Sequence, residues 1–339
     1  WSRGLGDVYK RQSPDIIVQN GNGLNPLLQN VTMAIHPPIL YLGFIGTTIL
    51  FVMTLAALIM DEINYQWIKS IRSWALIVWT FLSAGIILGG YWAYQELGWG
   101  GYWAWDPVEN SSLMPWFLLT AFIHSSIIQE KRGMLKTWNV LLASLTYIFV
   151  ILGTFITRSG IISSVHSFTA ESLGPLFFVF LCTLILLTVF WFFKHYHLLV
   201  SEEKIKSFTS REGGFLYNNL ILITMCFIVL WGTLFPIISE AWSGEKIHIG
   251  QNYFNQLNVP IGIFLLFLMV NQLSNFYGIF FLDIFRFFIL FISLIFVFIF
   301  EYLAVYFQFS TNIFTPLNLL SLLLIIFSPF LAKRIYTGP

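Results

Sequence analysis

The most concentrated chemistry in this sequence is a Trp-rich segment, residues 91–110, in which seven aromatic side chains fall within fifteen residues. Gly98, Gly100 and Gly101 are interleaved with these aromatic residues. Indole faces stack on planar π systems, and glycine lets the backbone approach a flat partner closely. The segment therefore predicts a platform for a large aromatic ligand lying on a membrane surface. The alternative is an aromatic belt at a membrane–water interface, although a belt has no need of glycines between its rings.

The end of the Trp-rich segment also carries the signals that start a helix. Asp106 is a favourable N-cap, Pro107 suits the first helical position, and Glu109 lies three residues after the cap. We therefore expect Asp106 and Glu109 to cap a helix. A catalytic role for these two carboxylates is the second interpretation.

Two histidines outside the apolar runs are candidate metal ligands, because neutral imidazole is the commonest metal ligand in proteins. His36 precedes the first apolar run, and His166 lies between the fourth and the fifth. Both are therefore predicted on the same face as the Trp-rich segment, where two imidazoles could clamp an iron axially. The alternative for each is a solvated surface histidine.

A third histidine, His124, lies inside an apolar run. Ionisable residues within a membrane are costly, and they mark functional sites by default. One interpretation is a buried haem ligand, which would require a second ligand at a similar depth. The other is a neutral imidazole that is hydrogen-bonded to a neighbouring helix.

The composition of the 339 residues places these candidates in a membrane protein. Hydrophobic residues make up 57% and charged residues only 10%, against roughly 25% charged in soluble domains. One water-soluble core of this length cannot bury such an excess, so the solvent must be largely lipid. The net charge of +1 leaves no basic field for nucleic acid. Cys182 and Cys226 are far apart in apolar runs and predict small buried side chains rather than a redox pair.

Nine apolar runs are long enough to cross ~30 Å of hydrocarbon, and none of them alternates as a β-barrel strand would. The predicted fold class is therefore an all-α polytopic transmembrane bundle. The predicted spans are 39–60, 74–92, 114–129, 138–156, 175–193, 215–237, 259–280, 287–306 and 316–332.

Lysine and arginine predict the orientation of these spans. One set of loops holds twelve of these residues, from Lys69 to Arg334. The opposite set holds only Arg158 and Lys246, apart from three near the N-terminus. The positive-inside rule puts the first set in the cytoplasm or mitochondrial matrix. The Trp-rich segment, His36 and His166 are thereby predicted on the outer side.

The predicted organisation has three parts. Residues 1–12 have neither the apolar core nor the cleavage site of a signal peptide, and we expect them to be a non-native leader. An outer-side segment over 13–38 follows, and then a polytopic membrane domain over 39–339. Its predicted outer loops are the Trp-rich loop 88–113 and the loops 157–174 and 238–258.

Several motifs of this sequence resemble those of a known family. The run from Trp99 to Asn110, WGGYWAWDPVEN, resembles the WWD motif of the haem-handling proteins of cytochrome c maturation. The flanking sequences resemble its CcmF branch, and the related NrfE proteins share much of the pattern. The flanking motifs are His36-Pro37-Pro38, Ala121 to Ser125, Thr157 to Gly160, Ser164 to His166, and Ser210 to Asn219.

The resemblance implies a haem-binding function and its site. His36 and His166 would be outer-face axial ligands to the haem being delivered, and His124 would be one of two ligands to a b-type haem. The family's second such histidine lies beyond the residues matched here, and no histidine follows His248, so this chain is expected to be a fragment or one half of a split protein. Arg158 would pair a haem propionate or anchor a helix end. The remaining implied haem-binding residues are Trp99, Gly100, Gly101, Tyr102, Trp103, Trp105 and Asp106.

The implied activity is that of a haem lyase component, which promotes thioether attachment of haem to the C-x-x-C-H motif of apocytochrome c. The implied partners are a haem carrier protein, apocytochrome c, other maturation subunits and a separate C-terminal half. The implied location is a bacterial or mitochondrial inner membrane, with the WWD loop on the periplasmic or intermembrane-space side. Two alternatives remain: a haem handover factor without lyase activity, and an ion or small-molecule transporter. The scarcity of charged residues within the spans argues against the transporter.

Overall fold

The computed structural model describes residues 28–97, 101–162, 164, 173–201 and 211–277. Within these ranges the chain forms helices and no strands, which confirms the all-α class. The predicted leader 1–12 and the predicted spans 287–306 and 316–332 lie outside the described residues. The helices are α1 (Val31–Ile59), α2 (Tyr65–Glu96), α3 (Pro107–Arg132), α4 (Lys136–Ser159), α5 (Gly174–Lys194), a 3-10 turn (Tyr196–Leu199), α6 (Arg211–Ser243) and α7 (Gln251–Tyr277).

Helices α1 to α6 are the six in the described part of the chain that are long and apolar enough to cross a membrane. Each of them overlaps one of the first six predicted spans. Helix α7 overlaps the seventh predicted span but begins well before it, at Gln251. Helices α1 and α2, and likewise α3 and α4, are antiparallel neighbours, because the connections within these two pairs are short.

Among the helix ends that differ from the predicted boundaries, two change the predicted outer segments. Helix α1 begins at Val31, inside the segment 13–38, because the side chain of Asn30 caps it by accepting the Thr32 N–H at 2.7 Å. His36 is therefore a helical residue, and Pro37 and Pro38 lie within the same helix. Helix α2 continues to Glu96, so the part of the Trp-rich loop 88–113 that separates the helices is confined to residues 97–106.

Small residues bring α1 and α2 together, as is common where membrane helices pack closely. A Cβ atom added at Gly85 would lie 2.7 Å from the Leu40 Cα atom, and one added at Gly46 would lie 2.6 Å from Val78 Cγ2. The Trp74 indole N–H also donates to the Gly46 carbonyl at 2.9 Å. This close pair sets His36 directly beside the last turns of α2.

Polar side chains join the other helices. Between α3 and α4, the buried Asn139 amide donates to Gln129 at 2.7 Å and accepts from the Ser125 hydroxyl at 2.5 Å. Between α2 and α3, the partly buried Arg72 pairs with Glu130 at 2.6 Å. These contacts lie at the end of the bundle opposite the Trp-rich segment, so specific polar partners fix the C-terminal end of α3.

Candidate functional site

Helix α3 begins with a capping box formed by two carboxylates of the Trp-rich segment. Asp106 accepts the Val108 N–H at 3.0 Å, and Glu109 accepts the N–H groups of Ala104 and Asp106 at 2.9 and 3.1 Å. The capping prediction is therefore confirmed. These bonds fold residues 104–106 back onto the helix end, with both carboxylates accepting from backbone amides.

Trp105 is fixed by residues far along the chain. Its indole N–H donates to Asn255 at 2.7 Å, and its ring stacks on Phe254 with centroids 5.0 Å apart and planes at 11°. Its backbone has a φ of 58°, and the buried Asn110 amide donates to its carbonyl at 3.1 Å. Phe254 and Asn255 carried no signal in the sequence, because they lie about 150 residues from Trp105 and begin a different helix. One face of the Trp105 indole is thus covered by the protein itself.

His36 occupies a small pocket between α1, α2 and the Trp-rich segment. Its Nδ1 lies 2.7 Å from the Gly85 carbonyl oxygen. Since a carbonyl can only accept, Nδ1 carries the proton and the neutral ring has its lone pair on Nε2, the nitrogen that a metal would require. A Cβ atom at Gly89 would lie only 2.5 Å from His36 Cε1, so the glycine provides the space for the ring.

The pocket around His36 has a volume of about 50 Å³, and its lining includes Gly89, Trp103 and Glu109. Pockets that enclose a drug-sized molecule measure roughly 300–1,000 Å³, so a ligand of haem size would lie mainly across its mouth. The buried indole N–H of Trp103 has no hydrogen-bond acceptor among the described residues. A donor in this position fits an anionic or carbonyl oxygen of a ligand.

Three segments that are distant in sequence meet at this end of the bundle. The Ser164 hydroxyl donates to Asp106 at 2.5 Å, which ties the connection after α4 to the Trp-rich segment. The Lys246 ammonium donates to the Ile161 carbonyl at 2.6 Å and lies 3.9 Å from Glu240. Ser164 lies two residues before His166 in the sequence. His166, Trp99 and Gly100 themselves lie outside the described residues.

The other residues predicted for this site lie around its edge. Tyr102 is exposed, and its carbonyl oxygen lies 2.9 Å from the position of a Cβ atom added at Gly90. Gly101 is the neighbouring residue of the same connection. Arg158 is exposed in the last turn of α4, where a cation interacts favourably with the helix dipole. Its proposed pairing with a propionate remains a prediction.

His124 lies apart from this end of the bundle. It follows Glu109 by fifteen residues on α3, a distance of about 22 Å along a helix. Its ring packs against Phe215 of α6 with centroids 5.9 Å apart. The buried Nδ1 atom has no hydrogen-bond partner within the described ranges. The ring is therefore not held by a hydrogen bond through Nδ1 to any described residue, and its other nitrogen, Nε2, is the one that would ligate a haem iron.

In the part of the chain that the structure describes, no group of three or more histidine, cysteine, aspartate or glutamate residues could hold a metal ion. The fold and this site together define a polytopic helical membrane protein with an imidazole and a Trp105 indole stacked on Phe254 at one end, and a second imidazole within its spans.

Comparison with known proteins identifies the particular family. Residues 13–163 match the family model described as "Cytochrome C assembly protein". The chain is 46% identical over 235 residues to the cytochrome c-type biogenesis protein CycK of Rhizobium meliloti, with 69% of this chain and 35% of the relative covered. It is 44% identical over 245 residues to CcmF of Pseudomonas aeruginosa, with 71% and 37% covered.

A solved structure described as "Cytochrome c Heme Lyase CcmF" superimposes with a TM-score of 0.58 at 36% identity, covering 72% of this chain and 36% of that one. The chain belongs to the CcmF family of cytochrome c-type biogenesis proteins. The chain spans between a third and two fifths of the length of the curated relatives it matches, for example 35% of CycK and 37% of CcmF.

Proposed function

We propose that this chain forms the haem-handling part of a cytochrome c maturation protein and that its Trp-rich end holds haem for attachment to apocytochrome c. Relatives whose alignments cover 69–75% of this chain are named as cytochrome c-type biogenesis proteins. The observation on which the proposal depends is the hydrogen bond from the His36 Nδ1 to the Gly85 carbonyl, which makes Nε2 the nitrogen that would ligate iron. The Trp103 indole, whose N–H has no acceptor among the described residues, lines the same pocket.

At this site haem is the substrate, and the residues of the chain bind and orient it. His36 is proposed as one axial ligand and His166 as the other, while Trp103, Tyr102 and the glycines Gly100 and Gly101 support the macrocycle. In the reaction a thiol of the apocytochrome adds across a haem vinyl group, so that its sulfur bonds one carbon and its hydrogen passes to the other. Holding the two partners together supplies much of the rate enhancement.

His124 is proposed as a ligand to a resident b-type haem, whose iron would supply one-electron chemistry. The chain's own contribution there is to position the imidazole between α3 and α6 and to exclude water from it. The proposed partners are a haem carrier, apocytochrome c, other maturation subunits and the remaining length of the relatives. The proposed location is an inner membrane with the Trp-rich end on the outer side.

The test replaces His36 and His166 separately with alanine and uses His248→Ala as the control, because His248 is an exposed histidine between α6 and α7. We expect His36→Ala and His166→Ala to lower the haem recovered with the protein about 10- to 100-fold and to stop holocytochrome c formation. Protein yield and the His248→Ala variant should be unaffected. Full maturation activity in either variant would contradict the ligand assignment, and haem transfer without thioether formation would favour a handover factor.

A further inference from the structure

The contact between α3 and α6 contains a second unexplained polar residue, Asn219. Its side chain is 0% exposed, and neither its oxygen nor its nitrogen has a hydrogen-bond partner among the described residues. Leaving a buried amide unpaired is destabilising, because the group loses its hydrogen bonds to water without gaining others. A membrane-spanning helix would be more stable with leucine at this position unless the amide has a task there.

Asn219 lies on the face of α6 that packs against α3. Three contacts define the antiparallel pairing of the two helices: Asn110 with Thr233 at 3.0 Å, the Met114 carbonyl with Cys226 Sγ at 3.7 Å, and His124 with Phe215. On α6 the contacting residues Phe215, Cys226 and Thr233 share one face with Asn219, because they follow steps of three and four residues. The complete set of positions at this spacing is 215, 219, 222, 226, 229 and 233.

His124 and Asn219 lie about one helical turn apart in depth. The Met114–Cys226 and His124–Phe215 contacts set the antiparallel register of α3 and α6. In this register Phe215 is level with His124, and Asn219, four residues further along α6, is level with the turn of α3 around Ala121, about 6 Å away. Phe215, which contacts the His124 ring, is one turn before Asn219 on the same face.

The directions of the side chains bring the two residues closer still. Side chains on a helix lean towards its N-terminus. His124 leans towards the level of Ala121, while Asn219 leans towards the level of Phe215. Because the helices are antiparallel, these directions converge. The small side chain of Ala121, which is fully buried, leaves room between them.

We propose that Asn219 is the positioning residue for His124 and that its amide oxygen accepts the His124 Nδ1–H when Nε2 ligates the resident haem. The two orphaned groups are complementary, since Nδ1 needs an acceptor in that tautomer and the amide oxygen needs a donor. Metal-bound histidines almost always donate their other ring N–H in this way, which fixes the ring and raises its basicity. The inference rests on the proposed b-type haem at His124.

The experiment measures haem retention and the haem midpoint potential in the complete protein purified in detergent. Asn219→Leu removes the acceptor, Asn219→Asp replaces it with a charged acceptor of similar size, and Asn258→Leu is the matched control. Asn258 is a buried asparagine with an unpaired oxygen on α7. We expect Asn219→Leu to weaken haem retention about 10- to 100-fold and to raise the potential of the haem that remains. Asn219→Asp should restore retention and lower the potential below that of the parent.

Each outcome has a distinct meaning. Opposite shifts in potential for the two Asn219 variants, with no shift in Asn258→Leu, support the inference. A haem signal that His124→Ala removes but that neither Asn219 variant shifts overturns the inference alone. Poor recovery of folded protein in both Asn219 variants indicates packing rather than positioning and also overturns it. Parent protein without any His124-dependent haem overturns the proposed b-type site itself.

Discussion

At the scale of single residues, the proposed site depends on the space that the helices leave for the His36 imidazole ring. The His36 Nδ1 reaches the Gly85 carbonyl at 2.7 Å only because Gly89, one turn further along α2, has no side chain. The sequence predicted His36 as a candidate ligand from its residue type and from the prolines that follow it. It gave no sign that two glycines of the next helix, Gly85 and Gly89, set the tautomer and the position of the ring.

Gly89→Ala should therefore impair haem binding without altering a ligand. The new Cβ atom would lie 2.5 Å from His36 Cε1, and the ring would have to leave its bond to Gly85. Overpacking of this kind costs typically 1–3 kcal/mol. We expect haem recovery to fall as far as in His36→Ala while the protein still accumulates. Haem content per purified protein is the measurement.

Gly262→Ala is the matched control for that change, because the nearest atom to a Cβ at this helical position is Met225 Cε at 3.7 Å. It should keep the parent's haem content. Equal haem recovery in the Gly89 and Gly262 variants would mean that His36 does not need its present position to bind haem.

At the scale of helices, the start of α3 connects local signals to long-range structure. Asp106 caps α3 by a bond to Val108, and the same carboxylate accepts the Ser164 hydroxyl from the connection after α4. The cap was readable from the sequence because it needs only residues three positions apart. The bond to Ser164 was not, since it joins residues 58 positions apart.

Asp106→Ala should separate these two roles when it is compared with Asn64→Ala. Asn64 caps α2 at the opposite end of the bundle by accepting the Trp67 N–H at 2.9 Å. Loss of either cap should cost about 1 kcal/mol and lower the melting temperature to a similar small extent. We expect only Asp106→Ala to reduce haem binding, because only that residue also holds Ser164. Equal haem content in the two variants would leave Asp106 a purely local cap.

At the scale of the whole molecule, the bundle has two chemically different ends. The end that carries Arg72, Glu130 and Lys131 has many charges, and the opposite end carries the Trp-rich segment, His36 and few basic residues. The positive-inside rule predicts that the first end faces the cytoplasm. The proposed haem site would then face the compartment in which cytochromes c acquire haem.

Cysteine labelling tests this orientation. In a background with Cys182→Ala and Cys226→Ala, we expect Gly250→Cys to react with a membrane-impermeant maleimide in intact spheroplasts. Lys131→Cys should react only after lysis. Both positions are exposed, so access alone decides the result. Labelling of Lys131→Cys in intact cells, with Gly250→Cys protected, would reverse the proposed orientation.

The sequence alone determined the features that depend on composition and on near neighbours along the chain. Low charge and long apolar runs determined a helical membrane protein and the six spans seen in the described residues. The spacing of Asp106, Pro107 and Glu109 determined the start of α3. The motif around Trp103 and Trp105, together with the flanking sequences around His36, His124 and His166, was specific enough to indicate the family, which the comparisons confirmed.

Only the tertiary structure decided which groups of distant helices meet. Trp105 stacks on Phe254, His36 bonds to Gly85, and Asn219 lies on the face of α6 that packs against His124. These contacts depend on the register and rotation of one helix against another. Packing across the whole interface fixes both quantities, and no local pattern encodes them. The sequence could therefore name the histidines of the proposed site, but not the glycines that contact His36 or the asparagine proposed to position His124.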